Sequence, residues 1–183
     1  MIKTGMTLAA CSMEQIDAAL ASHVQALILM NSSILDLMQP ALQKKRSKPV
    51  FLHIDLIRGL ASDADAIRFL SRHVPAVQGI VSTRSNVIRA ANKEGLFSIQ
   101  RVFLIDGRTF QASVDSIRDN RPKAIELMPA LGAPIIERFR KTVKVPIIAG
   151  GLVQTVEQIR MAFSCGADAV SYSSPDLWDY RTD

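Results

Sequence analysis

V-P-I-I-A-G-G-L-V-Q-T-V-E-Q-I-R-M-A-F-S-C-G-A-D-A-V-S-Y-S-S-P-D-L-W, residues 145–178, reads as strand, glycine turn, helix, strand, serine turn. Pro146 opens the apolar run Ile147-Ile148-Ala149, Gly150-Gly151 ends it, and Val156, Ile159, Ala162 and Phe163 then recur at helical spacing. Two successive strand-to-helix turns therefore carry backbone N–H groups with little side-chain bulk, first at Gly150 and Gly151, then at Ser173 and Ser174. An anion fits such turns, because unpaired N–H groups and a helix dipole favour negative charge, and in (β/α)8 barrels the loops after strands 7 and 8 often form a phosphate site. Alone, a Gly-Gly turn is more often an ordinary loop. Its weight here comes from its place as the last two units of a longer series.

Working outward, apolar runs at 6–10, 26–30, 50–54, 79–82, 96–104, 124–127, 146–149 and 169–172 alternate with helix-like segments at 13–21, 34–45, 63–72, 86–94, 109–120, 134–142 and 156–164. Such alternation predicts βαβ units and a parallel sheet, and eight units predict closure. The expected fold is a compact single-domain (β/α)8 TIM-type barrel over residues 1–183, with minimal loops and a short last helix, since 183 residues is short against the roughly 200 to 400 usual for this barrel. An open doubly wound sheet is the alternative. It has fewer strands, and merging two of the runs would require a long structureless connection.

The composition, 48% hydrophobic and 21% charged, suits one globular domain with a sizeable core. No apolar run approaches a membrane span, and the start at Met1 leads into a short apolar patch without a cleavage site, so a cytoplasmic protein without a membrane partner is expected. Cys11 and Cys165 are too few and too far apart for a disulfide framework or a metal-binding spacing. Lys plus Arg exceed Asp plus Glu by 22 to 17, which permits a polyanionic partner without demanding one. One Trp, two Tyr and seven Phe argue against a binding surface built mainly on aromatic stacking.

Alternation within the runs assigns faces, since the helix-facing side must be apolar and polar residues near strand ends point inward. Val50, Leu52 and Ile54 fit the helix side, which turns Phe51, His53 and Asp55 inward, the last two near the carboxyl end where barrel ligands bind. The same reading puts Asn31, Ser82, Gln100, Glu126, Ser171 and Ser173 inside or at the mouth, with Ile80 deeper beneath Ser82. A polar ring above an apolar cylinder is what a small-ligand site requires.

His53, Asp55 and Glu126 converge as acid–base groups, so a phosphate-handling barrel enzyme, such as a lyase, isomerase or synthase, is one reading. A pocket that only binds explains them equally well. No lysine ends a predicted strand to form a Schiff base, no His-x-His suggests a metal, and Asp63 and Asp65 sit at a helix start where carboxylates are ordinarily structural. Arg101, next to Gln100, is placed to reach a ligand anion from the rim or to make a salt bridge. Lys44, Lys45, Arg46 and Lys48 cluster at one predicted helix end, and Arg138, Arg140, Lys141 and Lys144 at another. Each alone reads as a solvated helix end. With Arg118, Arg121 and Lys123 they fall near the amino-end face of the barrel, where they offer a phosphate-binding surface for nucleic acid.

The wording of several strands adds a resemblance. P-V-F-L-H-I-D-L-I-R-G-L (49–60), G-I-V-S-T-R-S-N-V-I (79–88), S-I-Q-R-V-F-L-I-D (98–106), E-L-M-P (126–129), P-I-I-A-G-G-L (146–152) and the terminal L-W (177–178) together resemble the glycerol uptake operon antiterminator regulatory protein family, through nearly the whole chain. The resemblance implies a barrel that senses glycerol 3-phosphate as a regulatory ligand, uses no cofactor or catalytic residue, and binds leader mRNA of glycerol-metabolism operons. Carried onto this sequence, it implies that His53, Asp55 and Arg58 shape the mouth, with Gln100 and Arg101 on the next wall. Gly150, Gly151, Ser173 and Ser174 hold the phosphate, and Glu126 meets the glycerol hydroxyls, because a carboxylate accepts their hydrogen bonds but repels phosphate. The basic cluster Lys44, Lys45, Arg46 and Lys48, read from charge and not from the resemblance, is the candidate surface for that leader mRNA. The loop 56–62, which contains Gly59, is the expected moving part, and helices left uncovered by so trimmed a barrel would suit a homodimer.

Overall fold

The structure, a computed structural model, describes residues 1–103, 107–129 and 133–181. Eight strands, β1 (Met6–Cys11), β2 (Ala26–Leu29), β3 (Val50–His53), β4 (Val77–Ser82), β5 (Phe97–Phe103), β6 (Ala124–Met128), β7 (Ile147–Ala149) and β8 (Ala169–Tyr172), pair in sequence order, all parallel. β8 returns to β1 with Met6 beside Ala169 and Ala9 beside Tyr172, which closes the barrel. Outside lie α1 (Ile16–Ala21), α2 (Ile34–Leu37), α3 (Ala64–His73), α4 (Ser85–Lys93), α5 (Gly107–Asn120), α6 (Ala133–Thr142) and α7 (Val156–Ser164). Among the described residues after β8 the chain makes a 3-10 turn, Pro175–Leu177, where a barrel's eighth helix would stand. Leu177 and Trp178, both buried, seal that flank of the barrel.

Two apolar layers follow from strand alternation. Val50, Leu52, Ile54, Ile67 and Leu70 belong to the layer between sheet and helices; Met6, Leu8, Phe51, Val81, Ile99 and Ile148 plug the barrel interior. Gly79 is required by that plug: a Cβ there would strike the Phe97 carbonyl oxygen and come within 2.7 Å of the Phe51 ring. The rings of Phe51 and Phe97 sit 5.6 Å apart.

Two sequence expectations shift, and a third falls partly outside the described residues. The helix expected over 34–45 is only four residues long, because Pro40 has no N–H to donate and drives Gln39 away from helical geometry. In β4 the register against β3 slips between Val50 and Phe51, whose partners are Val77 and Gly79, so one extra residue is accommodated. Ile80 therefore packs under the helices and Val81 points inward, the reverse of the phase expected for Ile80. The run expected to reach Leu104, and the motif end at 104–106, lie partly outside the described residues.

Local signals hold the helices in place. Asp63 Oδ1 accepts the Ala66 N–H at 2.9 Å and Asp65 pairs with Arg68 at 2.8 Å, so both carboxylates serve α3 as caps and surface partners. Thr155 and Gln158 form a capping box on α7. The loop 56–62 is pinned to the loop after β2: Arg58 N–H donates to Ser32 O and Ile34 N–H to Arg58 O, each at 2.9 Å. No helix among the described residues is long and apolar enough to cross a membrane.

Candidate functional site

The carboxyl ends of the strands surround a cavity of about 520 Å³. Its wall includes Gly151 and Gln154 from the loop after β7, Ser173 and Ser174 after β8, Met128 at the end of β6, and Arg101 from β5. The paired turns at Gly151 and at Ser173-Ser174 thus come together at one opening. Gly151 has φ +78° and the next residue, Leu152, has φ +59° while 64% exposed, so the loop after β7 carries consecutive left-handed residues beside the cavity.

Arg101 is the charge at the centre of this site. Its side chain is turned into the barrel, 5% exposed, and its Nε donates to Glu126 Oε2 at 2.8 Å. Glu126 is fully buried, and its other oxygen accepts from Ser171 Oγ at 2.7 Å. Both carboxylate oxygens are thereby engaged in fixing the arginine fork. Arg101 Nη2 is buried and without a hydrogen-bond partner among the described residues. A guanidinium nitrogen left in that state costs free energy unless something else accepts its hydrogen bond, and Arg101 lines the cavity where an acceptor can sit. Gly150 makes the arrangement fit, because a Cβ at that position would collide with Ser171 Oγ and lie 3.0 Å from Glu126 Oε1.

His53 is 4% exposed and faces inward like Phe51, within electrostatic reach of Arg101, Asp55 and Glu126. Burial first, then the Arg101 guanidinium, push its pKa down from 6.5 to about 4 against the pull of the two carboxylates, so the imidazole is neutral at pH 7. Its Nδ1 is buried and unpartnered among the described residues.

Other expected members of the site go elsewhere. Gln100 does not face the mouth. Its Nε2 donates to Ser116 Oγ at 2.9 Å and its Oε1 accepts from Asn120 Nδ2 at 3.1 Å, both on α5, so it belongs to the sheet–helix layer. Arg101, expected at the rim, takes the inward phase instead, because Phe97 and Ile99 fill the barrel plug on the same face of β5. Asp55 ties the end of β3 to the turn before α4: it accepts from Ser82 Oγ at 2.9 and 3.0 Å, from Thr83 N–H at 2.9 Å and from Thr83 Oγ1 at 3.2 Å. Arg84 approaches the same carboxylate at 3.7 Å. Arg58 and Asn31 are exposed. Of the residues expected at the site, His53, Asp55, Arg58, Glu126 and Gly150 do not line the cavity, whereas Arg101, Gly151, Ser173 and Ser174 do.

Sequence reading also missed Gln154 and Met128 on the wall. The Gln154 signal was present, since it lies in the loop after β7 just before the Thr155 cap, but a strand-phase argument does not reach loop residues. Among the described residues no group of His, Cys, Asp and Glu is arranged to hold a metal ion. On the amino-end side, Lys48 Nζ donates to Ser22 O at 2.6 Å and Arg46 Nε to Ala41 O at 2.6 Å. Two of the four cations assigned to RNA are thus committed to backbone carbonyls, while Lys44 and Lys45 are exposed.

Comparison with known proteins gives the chain its relatives. A protein of Escherichia coli (strain K12), described as "Uncharacterized protein YgcP", is 32% identical over 135 residues, covering 74% of this chain and 70% of that protein. The crystal structure of the glycerol uptake operon antiterminator regulatory protein from Listeria monocytogenes str. 4b F2365 is similar at a TM-score of 0.86 with 30% identity, over 95% of each chain. A glycerol uptake operon antiterminator-related protein from Thermotoga maritima MSB8 is similar at a TM-score of 0.81 with 26% identity, over 98% of this chain and 100% of that one. A family profile described as "Glycerol-3-phosphate responsive antiterminator" matches residues 6–178, from the first strand of the barrel to the tryptophan that seals it, and the chain belongs to that family.

Proposed function

We propose that this protein is a glycerol 3-phosphate sensor that binds the leader mRNA of glycerol-metabolism operons in the cytoplasm and promotes transcription past a terminator. The observation that carries the ligand half is Arg101, which lines a cavity with Gly151, Ser173 and Ser174 and whose Nη2 is buried without a partner among the described residues. A phosphate monoester supplies acceptor oxygens and negative charge for that nitrogen and for the backbone and hydroxyl donors of the two turns. His53, uncharged and with Nδ1 buried and unpartnered among the described residues, is the proposed partner of a glycerol hydroxyl. Glu126 acts through Arg101, which it orients. The reading calls for a regulatory ligand and no cofactor. Ligand binding shifts the population competent for RNA, which requires different ligand affinity in the two states.

The rival reading, a barrel enzyme with His53, Asp55 and Glu126 as acid–base groups, fits the geometry less well. Asp55 is occupied by Ser82 and Thr83, and Glu126 by Arg101 and Ser171, so neither carboxylate is offered to the cavity. Substituting His53 separates the two readings: lost turnover with retained binding favours an enzyme, altered binding without any turnover favours the sensor.

The decisive experiment is a salt-controlled titration of an operon leader RNA, with and without glycerol 3-phosphate, against an unrelated competitor RNA. Specific binding strengthened by the ligand is the expected result. Weak RNA affinity indifferent to a phosphate compound that does bind would end the RNA mechanism.

A further inference from the structure

At the opposite end of the barrel from the ligand cavity, the C-terminal turns of α5 and α6 leave a second cavity of about 400 Å³. Its floor is aliphatic, built on Val114, Ile117 and Val143, all buried, and its rim carries Arg118, Arg121 and Lys144. No acidic residue lines it. The volume lies in the range of about 300 to 1,000 Å³ typical of small-ligand pockets. That combination, an apolar slot ringed by cations, matches one occupant well: an unstacked nucleobase with its flanking phosphates.

Neighbouring cations divide into committed and available. Arg138 lies over the Phe110 ring at 3.8 Å, and Arg140 is bound to Asp168 at 2.8 Å and to the Val145 carbonyl. Among the described residues Arg118 has a surface pairing with Asp115 at 3.6 Å, 72% and 54% exposed, of the kind that contributes little. Arg121 and Lys144 are exposed.

Cations near helix C-termini are ordinarily explained by the dipole. Arg121 is not explained that way alone. It has φ +49°, immediately after the last residue of α5, at the position where glycine or asparagine usually closes a helix. A long β-carbon-bearing side chain held there carries a backbone cost, and such outliers concentrate at functional sites. Asn92 fixes the turn by donating to the Asn120 and Arg121 carbonyls at 3.0 and 3.1 Å, so the guanidinium is presented from a rigid corner.

Resting on the antiterminator reading above, we infer that the slot between the ends of α5 and α6 takes an unpaired base of the leader RNA, with Arg118, Arg121 and Lys144 on the adjacent phosphates. Unpaired bases in loops and bulges are what RNA-binding proteins read, and apolar contact substitutes here for the aromatic stacking that this chain largely lacks. A helical peptide is the poorer fit, since it would require a longer groove for anchors a turn or more apart.

The test uses the full chain carrying Arg121→Gly and Lys144→Ala. Glycine relieves the left-handed backbone, so loss of folding does not confuse the result. Leader RNA should bind at least tenfold more weakly, and the slope of log K against log salt should fall by about 1.4, near 0.7 per lost phosphate contact on a single strand. Glycerol 3-phosphate binding should be unchanged. Leader RNA bound by the wild type and equally well, with the same salt slope, by the variant overturns the slot and leaves the antiterminator reading standing; the slot then belongs to an acidic peptide partner or to none. Wild-type protein that does not distinguish the leader from unrelated RNA overturns both.

Discussion

Arg101 and Glu126 form an ion pair at 2.8 Å across adjacent strands β5 and β6, with side chains 5% and 0% exposed, at the base of the carboxyl-end cavity. Removing one partner leaves a buried charge, which costs roughly 3–5 kcal/mol, whereas replacing both by apolar residues of similar volume is often neutral. Arg101→Leu should therefore lower stability by about that amount in urea unfolding. Arg101→Leu with Glu126→Leu should recover most of it. Neither variant should bind glycerol 3-phosphate measurably by calorimetry; a double variant that still binds would remove Arg101 from the ligand site.

Gly150 and Gly95 offer a matched pair. A Cβ at Gly150 meets Ser171 Oγ and Glu126 Oε1, while at Gly95, φ +76°, nothing lies within 4 Å. Gly150→Ala should cost about 1–3 kcal/mol through overpacking and should abolish ligand binding by displacing the carboxylate that orients Arg101. Gly95→Ala should cost about 1 kcal/mol through backbone strain and leave the ligand isotherm intact.

His53 gives the fold a pH dependence of definite sign. Its folded-state pKa, about 4, lies below the ordinary 6.5, so the unfolded chain takes up the proton first. The stabilising contribution of the neutral ring is complete above pH 6.5 and declines as pH falls toward about 4. At about 1.36 kcal/mol per pH unit it reaches about 3 kcal/mol. Denaturation series at several pH values should show this slope in the wild type, and His53→Leu should flatten it.

Gln100 should be silent for the ligand. Its amide is bonded to Ser116 and Asn120 under the helices. Gln100→Leu should cost about 1–2 kcal/mol, since Asn120 loses an acceptor in a buried network. Affinity for glycerol 3-phosphate should stay within twofold; a larger loss in calorimetry would return Gln100 to the mouth.

The barrel was legible because each unit repeats the same pattern, and an error of a residue or two in one unit leaves the count intact. Strand phase was legible in β3, where Val50, Leu52 and Ile54 are all apolar opposite Phe51 and His53. It failed in β5 for a physical reason. Both faces of Ser98-Ile99-Gln100-Arg101-Val102 mix polar and apolar residues, and the lower interior of a small barrel is as apolar as its outside, so hydrophobicity does not say which of Gln100 and Arg101 points inward. β4 failed because its register slip is a relation to β3 that no property of β4 alone encodes. The turns at Gly151 and Ser173-Ser174 were legible, since small residues there serve loop geometry directly. The Arg101–Glu126–Ser171 chain was not, because it joins β5, β6 and β8 across the intervening β7, and strand phase in one segment does not say which side chains on other strands meet.

The two cavities open at opposite ends of the cylinder, so the proposed sites for metabolite and RNA do not contend for the same space. With both sites as proposed, a ternary complex would form, and the effector would not act by displacement. Its influence would then saturate at a finite ratio of affinities, the same in both directions: whatever factor the small molecule added to RNA affinity, bound RNA would add to affinity for the small molecule. A nascent transcript would in that case sharpen its own sensor, holding the effector longest on those protein molecules already engaged at a terminator.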